Sequence, residues 1–92
     1  MWKAESFKLI SPAHWAVKVL HPTNGRYYYV NVRINDGKIW TDWNWGFFNS
    51  ERYGIGYQAE NEDIDAASKV AVEFLKDEGI IYPDEDGWHI KE

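Results

Sequence analysis

Ninety-two residues suffice for one domain and are too few for two, and 45% hydrophobic with 27% charged residues excludes an intrinsically disordered chain. The absence of cysteine excludes a disulfide framework, a thiolate metal site and a thiol nucleophile, and no apolar run approaches the ~20 residues that span a bilayer. The net charge of −5 is unevenly divided: seven Lys/Arg against four Asp/Glu from Met1 to Tyr57 give +3, and three against eleven from Gln58 to Glu92 give −8.

The amino-terminal Met1-Trp2-Lys3-Ala4-Glu5 lacks the apolar stretch of a secretory signal, so a soluble, cytoplasmic protein is expected. Phe7 and Leu9 alternate within Ser6 to Ile10, which suggests a short strand ended by Ser11-Pro12. Residues 14 to 20 alternate more clearly, with Trp15, Val17 and Val19 on one face. Asn24-Gly25 then reads as a hairpin turn, because both residues tolerate positive φ. The next strand places Tyr28, Val30, Val32 and Ile34 on one face, and Asp36-Gly37 is a second two-residue turn. Beyond it Ile39, Thr41, Trp43 and Trp45 alternate with Lys38, Trp40, Asp42 and Asn44.

The two turns make a register. Asp36-Gly37 pairs Ile34 with Ile39, Val32 with Thr41 and Val30 with Trp43, and Asn24-Gly25 pairs Val19 with Val30, Val17 with Val32 and Trp15 with Ile34. Both pairings put the β-branched residues on one face, and a slip by one residue would turn every side chain over.

Gly46 to Arg52 reads as a loop that carries Phe47 and Phe48, adjacent residues that alternation cannot bury together. Either the loop folds back as a satellite cluster, or one of the two projects as an anchor for a partner. Tyr53, Ile55, Tyr57 and Ala59 alternate as a fourth strand weakened by Gly54 and Gly56. Residues 63 to 78 form the helix, with Ile64, Ala67, Val70, Ala71, Phe74 and Leu75 as its apolar stripe, Asn61 or Asp63 as cap and Gly79 as its left-handed end. Ile80-Ile81-Tyr82, a turn over Pro83 to Gly87, and Trp88-His89-Ile90 read as an edge strand or ordered tail. The expectation is therefore one α+β domain over residues 1–92: a four- to five-stranded antiparallel meander with one long C-terminal helix on one face, in the order β-β-β-β-α.

Chemistry-bearing motifs are lacking. His14, His21 and His89 stand at no metal-ligand spacing, Asp84-Glu85-Asp86-Gly87 lacks the frame of a calcium loop, and no serine lies in a nucleophile elbow. The expectation is a protein that is not an enzyme and holds no metal or cofactor. The face of the meander opposite the helix is more informative: it carries Tyr27, Tyr29, Asn31, Arg33, Trp40 and Asp42, with Arg33 opposite Trp40 in register for a cation–π pair. Six Trp, six Tyr and four Phe exceed what so short a chain needs, and exposed rings are favoured interface anchors. Cross-strand stabilisation of the sheet, or cover by Trp2 and Phe7, would explain that face without a partner. The helix and tail add a second surface, with Glu62, Asp65, Glu73, Asp77, Asp84, Glu85 and Asp86, which is either a solvated face or an imitation of phosphates.

In size, acidity and α+β build the chain resembles the small inhibitor proteins that phages make against host defences, anti-CRISPR proteins among them, a likeness of type carried by no shared motif. That likeness implies a protein partner, itself a nucleic-acid-binding one, blocked by the acidic surface and the aromatic anchors. The alternatives are single-stranded nucleic-acid binding through Tyr27, Tyr29, Arg33 and Trp40, and a self-associating protein such as a homodimer.

Overall fold

The computed structural model of the chain describes residues 1–23, 25–43 and 61–91. The alternating first half forms a four-stranded antiparallel sheet of β1 (Lys3–Ser11), β2 (His14–Leu20), β3 (Tyr27–Asn35) and β4 (Lys38–Trp43), in that spatial order. The helix α1 (Asn61–Asp77) packs across all four strands, and β5 (Ile81–Asp84) with β6 (Gly87–Ile90) forms a separate two-stranded sheet. The protein is thus α+β, as its periodicities require. Among the described residues no helix is long and apolar enough to cross a membrane.

The β3–β4 register is the expected one, with Ile34 opposite Ile39, Val32 opposite Thr41 and Val30 opposite Trp43. Asp36 at φ 52° and Gly37 at φ 75° supply the two left-handed residues that this two-residue turn demands. The β2–β3 register differs by two residues from expectation: Val19 pairs with Tyr28, Val17 with Val30 and Trp15 with Val32. Here the last rung is His21 N–H to Arg26 C=O at 2.9 Å, so four residues make the turn instead of two. The cause is local. Pro22 has no N–H for a ladder, and the N–H of Thr23 is taken by His21 Nδ1 at 3.1 Å. A shift of two keeps every side chain on its face, so the core composition is unaffected.

That core contains Trp15, Val17, Val19, Tyr28, Val30 and Val32 from the sheet, Ala67, Ala71 and Leu75 from the helix, and Trp2 and Ile81 from the two ends of the chain. Each large aliphatic side chain so buried contributes about 1.5–3 kcal/mol. The helix stops where the sequence says it should: Gly79 is left-handed at φ 76°, its N–H donates to Lys76 O, and Ile80 N–H donates to Leu75 O.

The amino-terminal segment does not cover the outer face of the sheet. It lengthens into β1 and lies beside β2, with irregularities at Glu5 and Ile10. Phe7, opposite Val17, turns to the helix side and meets Phe74 edge-on at 6.2 Å, and Trp2 packs edge-on against Tyr28 at 6.2 Å. The tail, read as an edge strand or ordered tail, is a hairpin. Trp88 N–H donates to Gly37 C=O at 2.8 Å, which joins that hairpin to the β3–β4 turn, and Lys91 N–H donates to Ile80 C=O. The fourth strand expected over Tyr53, Ile55, Tyr57 and Ala59, and the loop with Phe47 and Phe48, lie outside the described residues.

Candidate interaction surfaces

Strand pairing arranges the outer face in rows. Leu20 and Tyr27 form one row, Ser6, Lys18 and Tyr29 the next, then Lys8, Ala16, Asn31 and Asp42, and last His14, Arg33 and Trp40. Trp40 is 58% exposed, whereas Tyr27 and Tyr29 are half-buried and Tyr29 reaches residues of the core. Tyr27, Tyr29 and Trp40 therefore do not form one patch, because the polar row of Asn31 and Asp42 runs between Tyr27 and Trp40. Arg33 does stand opposite Trp40, but its Nη1 donates to Asp42 Oδ2 at 2.9 Å instead of stacking on the indole. Both partners are about half exposed, so this ion pair contributes roughly 0.2–1 kcal/mol. Among the described residues a cation–π contact on this face is made by Lys18 Nζ over Tyr27, 4.3 Å from the ring centroid.

Asn31 organises the polar row and is 6% exposed, the one buried polar residue in the described core. Its Nδ2 donates to Asp42 Oδ1 at 2.7 Å, so its Oδ1 faces His14 Nε2 at 2.9 Å. An amide oxygen accepts only, which places a proton on His14 Nε2. His14, Asn31, Asp42 and Arg33 thus form one continuous chain across β2, β3 and β4. Metal-ligand spacing does not reveal this chain; its signal in the sequence is Asn31 opposite Asp42 in the register of the Asp36-Gly37 turn.

The second surface joins acids from distant parts of the chain. The hairpin turn at Glu85-Asp86 sits against the β3–β4 turn at Gly37, so the turn that carries exposed Asp36 meets the turn that carries exposed Asp84, Glu85 and Asp86. These carboxylates are mounted on a braced base. Asp84 Oδ1 accepts from Asp86 N–H at 2.7 Å and from His89 Nε2 at 2.7 Å, and His89 stacks obliquely on Tyr82 with centroids 5.3 Å apart. The Asp86 N–H, helped by the bond to His89 and its charge, holds the Asp84 carboxyl below its ordinary value. A lowered carboxyl stabilises the fold above its unfolded pKa and loses that contribution as pH falls through the folded one. We therefore expect the hairpin amides of β5 and β6 to stay protected at neutral pH and to lose protection below about pH 4. Hydrogen exchange of Asp86 and His89 across that range is the measurement.

Asp65, Glu73 and Asp77 are exposed on α1, but Lys69 and Lys76 are exposed among them, so the helix presents mixed charge and not an acidic wall. Glu62 falls within α1. The grooves among the described residues include one of about 720 Å³ at the end of α1, lined by Lys76, Gly79, Ile81, Tyr82, Ile90 and Lys91, and one of about 400 Å³ between Trp2 and Phe74. Among the described residues no three His, Asp or Glu are grouped to hold a metal ion. No family model matches the chain, no curated protein matches its sequence, and no solved structure matches its fold.

Proposed function

We propose that the protein is a non-enzymatic binding module that occupies a basic site on another protein, the site of a nucleic-acid-binding partner, and so inhibits it. The observation that carries this reading is the joining of two hairpin turns, fifty residues apart, into one braced knob bearing Asp36, Asp84, Glu85 and Asp86. Carboxylates presented on a pre-set base lose less conformational freedom on binding than carboxylates on a free tail. Their charge favours fast, salt-sensitive association with a cationic groove. A further support lies at the end of α1, where Asp77 and Glu78 face the negative end of the helix dipole, a placement that opposes local stability. A cysteine-free chain suits the reducing cytoplasm in which such an inhibitor would act.

The test is capture of a partner from cell extract by the immobilised protein, compared with the double variant Glu85→Lys/Asp86→Lys. The expected result is a partner that single-stranded or duplex DNA displaces, held at low salt and lost from the variant by a factor of ten or more, on the order of a buried or rim charge reversal. Capture that is indifferent to the reversal and to salt would overturn the reading.

A further inference from the structure

The outer face of the sheet calls for a different partner from the knob. Lys8, Lys18, Arg33 and Lys38 all share its parity, and the carboxylate in register among them, Asp42, is already ion-paired to Arg33. Among the described residues this face therefore carries four cations against one carboxylate in register, the exposed and ion-paired Asp42, although the protein's net charge is −5. The sequence alone undercounts these cations, because Lys8 joins the face only when β1 pairs with β2 and puts it beside Ala16. Trp40 is the exposed ring within this field, directly across from Arg33.

We infer that this face binds single-stranded nucleic acid, with a base stacked on Trp40 and the phosphates running diagonally across the sheet past Arg33 toward Lys18 and Lys8. Complementary charge selects the occupant, and the open indole selects bases over other polyanions, since every base offers a π-face to a ring. Antiparallel four-stranded sheets with a helix behind them serve as such platforms. Strands ~4.8 Å apart place Lys8 and Trp40 about 15 Å from each other, a span of a few nucleotides. Direction follows from the acids: Asp36 and the knob close the end of the sheet beyond Lys38, so the phosphates leave Trp40 away from the β3–β4 turn. The chain His14–Asn31–Asp42–Arg33 holds Arg33 in place before the ligand arrives, with His14 adjoining it in the same row.

Oligothymidylate is titrated into the ¹⁵N-labelled protein at low salt, with heparin and polyglutamate as parallel titrants. The expected result is movement of the Trp40 indole and of β2 and β3 amides, with α1 unmoved. Trp40→Ala, at an exposed position that leaves the fold intact, is expected to weaken oligothymidylate about 10- to 100-fold and to leave heparin unchanged. Binding by the parent protein is expected to fall with salt at a log–log slope of about −2 to −3, and Lys8→Ala/Lys18→Ala to lessen that slope by about 1.4. Three outcomes each overturn the inference: no shift at the Trp40 indole, equal binding of oligothymidylate by Trp40→Ala, or polyglutamate binding the same face as tightly. The last would make the face a site for acidic protein.

Discussion

Gly87→Ala is expected to destabilise the protein by about 2–5 kcal/mol, from left-handed strain together with overpacking. Gly87 stands at φ 123°, a conformation closed to side chains, and a β-carbon there would lie on the carbonyl group of Gly37. The backbone contact is reciprocal, since a β-carbon on Gly37 would come within 2.9 Å of Asp86 O. The strain has no cheap release. Backing the hairpin away would break the Trp88–Gly37 hydrogen bond and draw Ile81, 1% exposed, out of the core. Gly79→Ala provides the comparison: its φ of 76° is also left-handed, but nothing lies within 4 Å of its added carbon, so about 1–2 kcal/mol is expected. Urea unfolding of both variants decides it. Equal losses would mean that the close approach of the two turns contributes nothing, and the braced base of the acidic knob would go with it.

Leu75→Ala is expected to cost about 2–5 kcal/mol, the cavity cost of a large-to-small change at a fully buried site. Leu75 is the side chain through which the last turns of α1 enter the core beside Ala67, Ala71 and Ile81, and its carbonyl also receives the Ile80 N–H that ends the helix. Truncation leaves that hydrogen bond and removes the packing, so the loss reports the side chain alone. Glu73→Ala, exposed on the same helix, is expected to stay within about 0.5 kcal/mol. Thermal melting of the pair, followed by circular dichroism at 222 nm as a helix signal, separates the two; similar melting of both would refute the assignment of Leu75 to the core.

The faces of the elements were legible in the chain itself. Trp15, Val17 and Val19, then Tyr28, Val30 and Val32, lie inside because alternation at period two assigns each residue a side whatever strand it meets. Ala67, Ala71 and Leu75 follow from the helical period in the same way. The Asp36-Gly37 turn was legible as well, since few residue pairs accept two successive left-handed conformations. The β2–β3 turn was not, because the ring of His21 competes for the Thr23 N–H, and Asn-Gly chemistry does not register that competition.

The candidate surfaces were less legible than the fold. The Asp36-Gly37 register sets Arg33 opposite Trp40, yet the guanidinium goes to the Asp42 carboxylate, a charged acceptor within reach, and not to the ring. Asp84, Glu85 and Asp86 were visible as an acidic turn; that the turn of Asp36 meets it was not.

By itself, then, the sequence determined which side of each strand and helix is apolar, where the helix ends, and how charge divides along the chain. Only the tertiary structure decided that β1 lies beside β2 and adds Lys8 to the outer face, that Asn31 ties His14 to Asp42, and that Gly87 meets Gly37. The physical reason is range. Periodicity and turn chemistry act within a few residues, whereas these contacts join residues from 8 to about 50 positions apart, through strand pairing, side-chain hydrogen bonds and a close backbone approach. The aromatic residues on both faces of the sheet reflect that division: their parity belonged to the chain, and the exposure of Trp40 belonged to the fold.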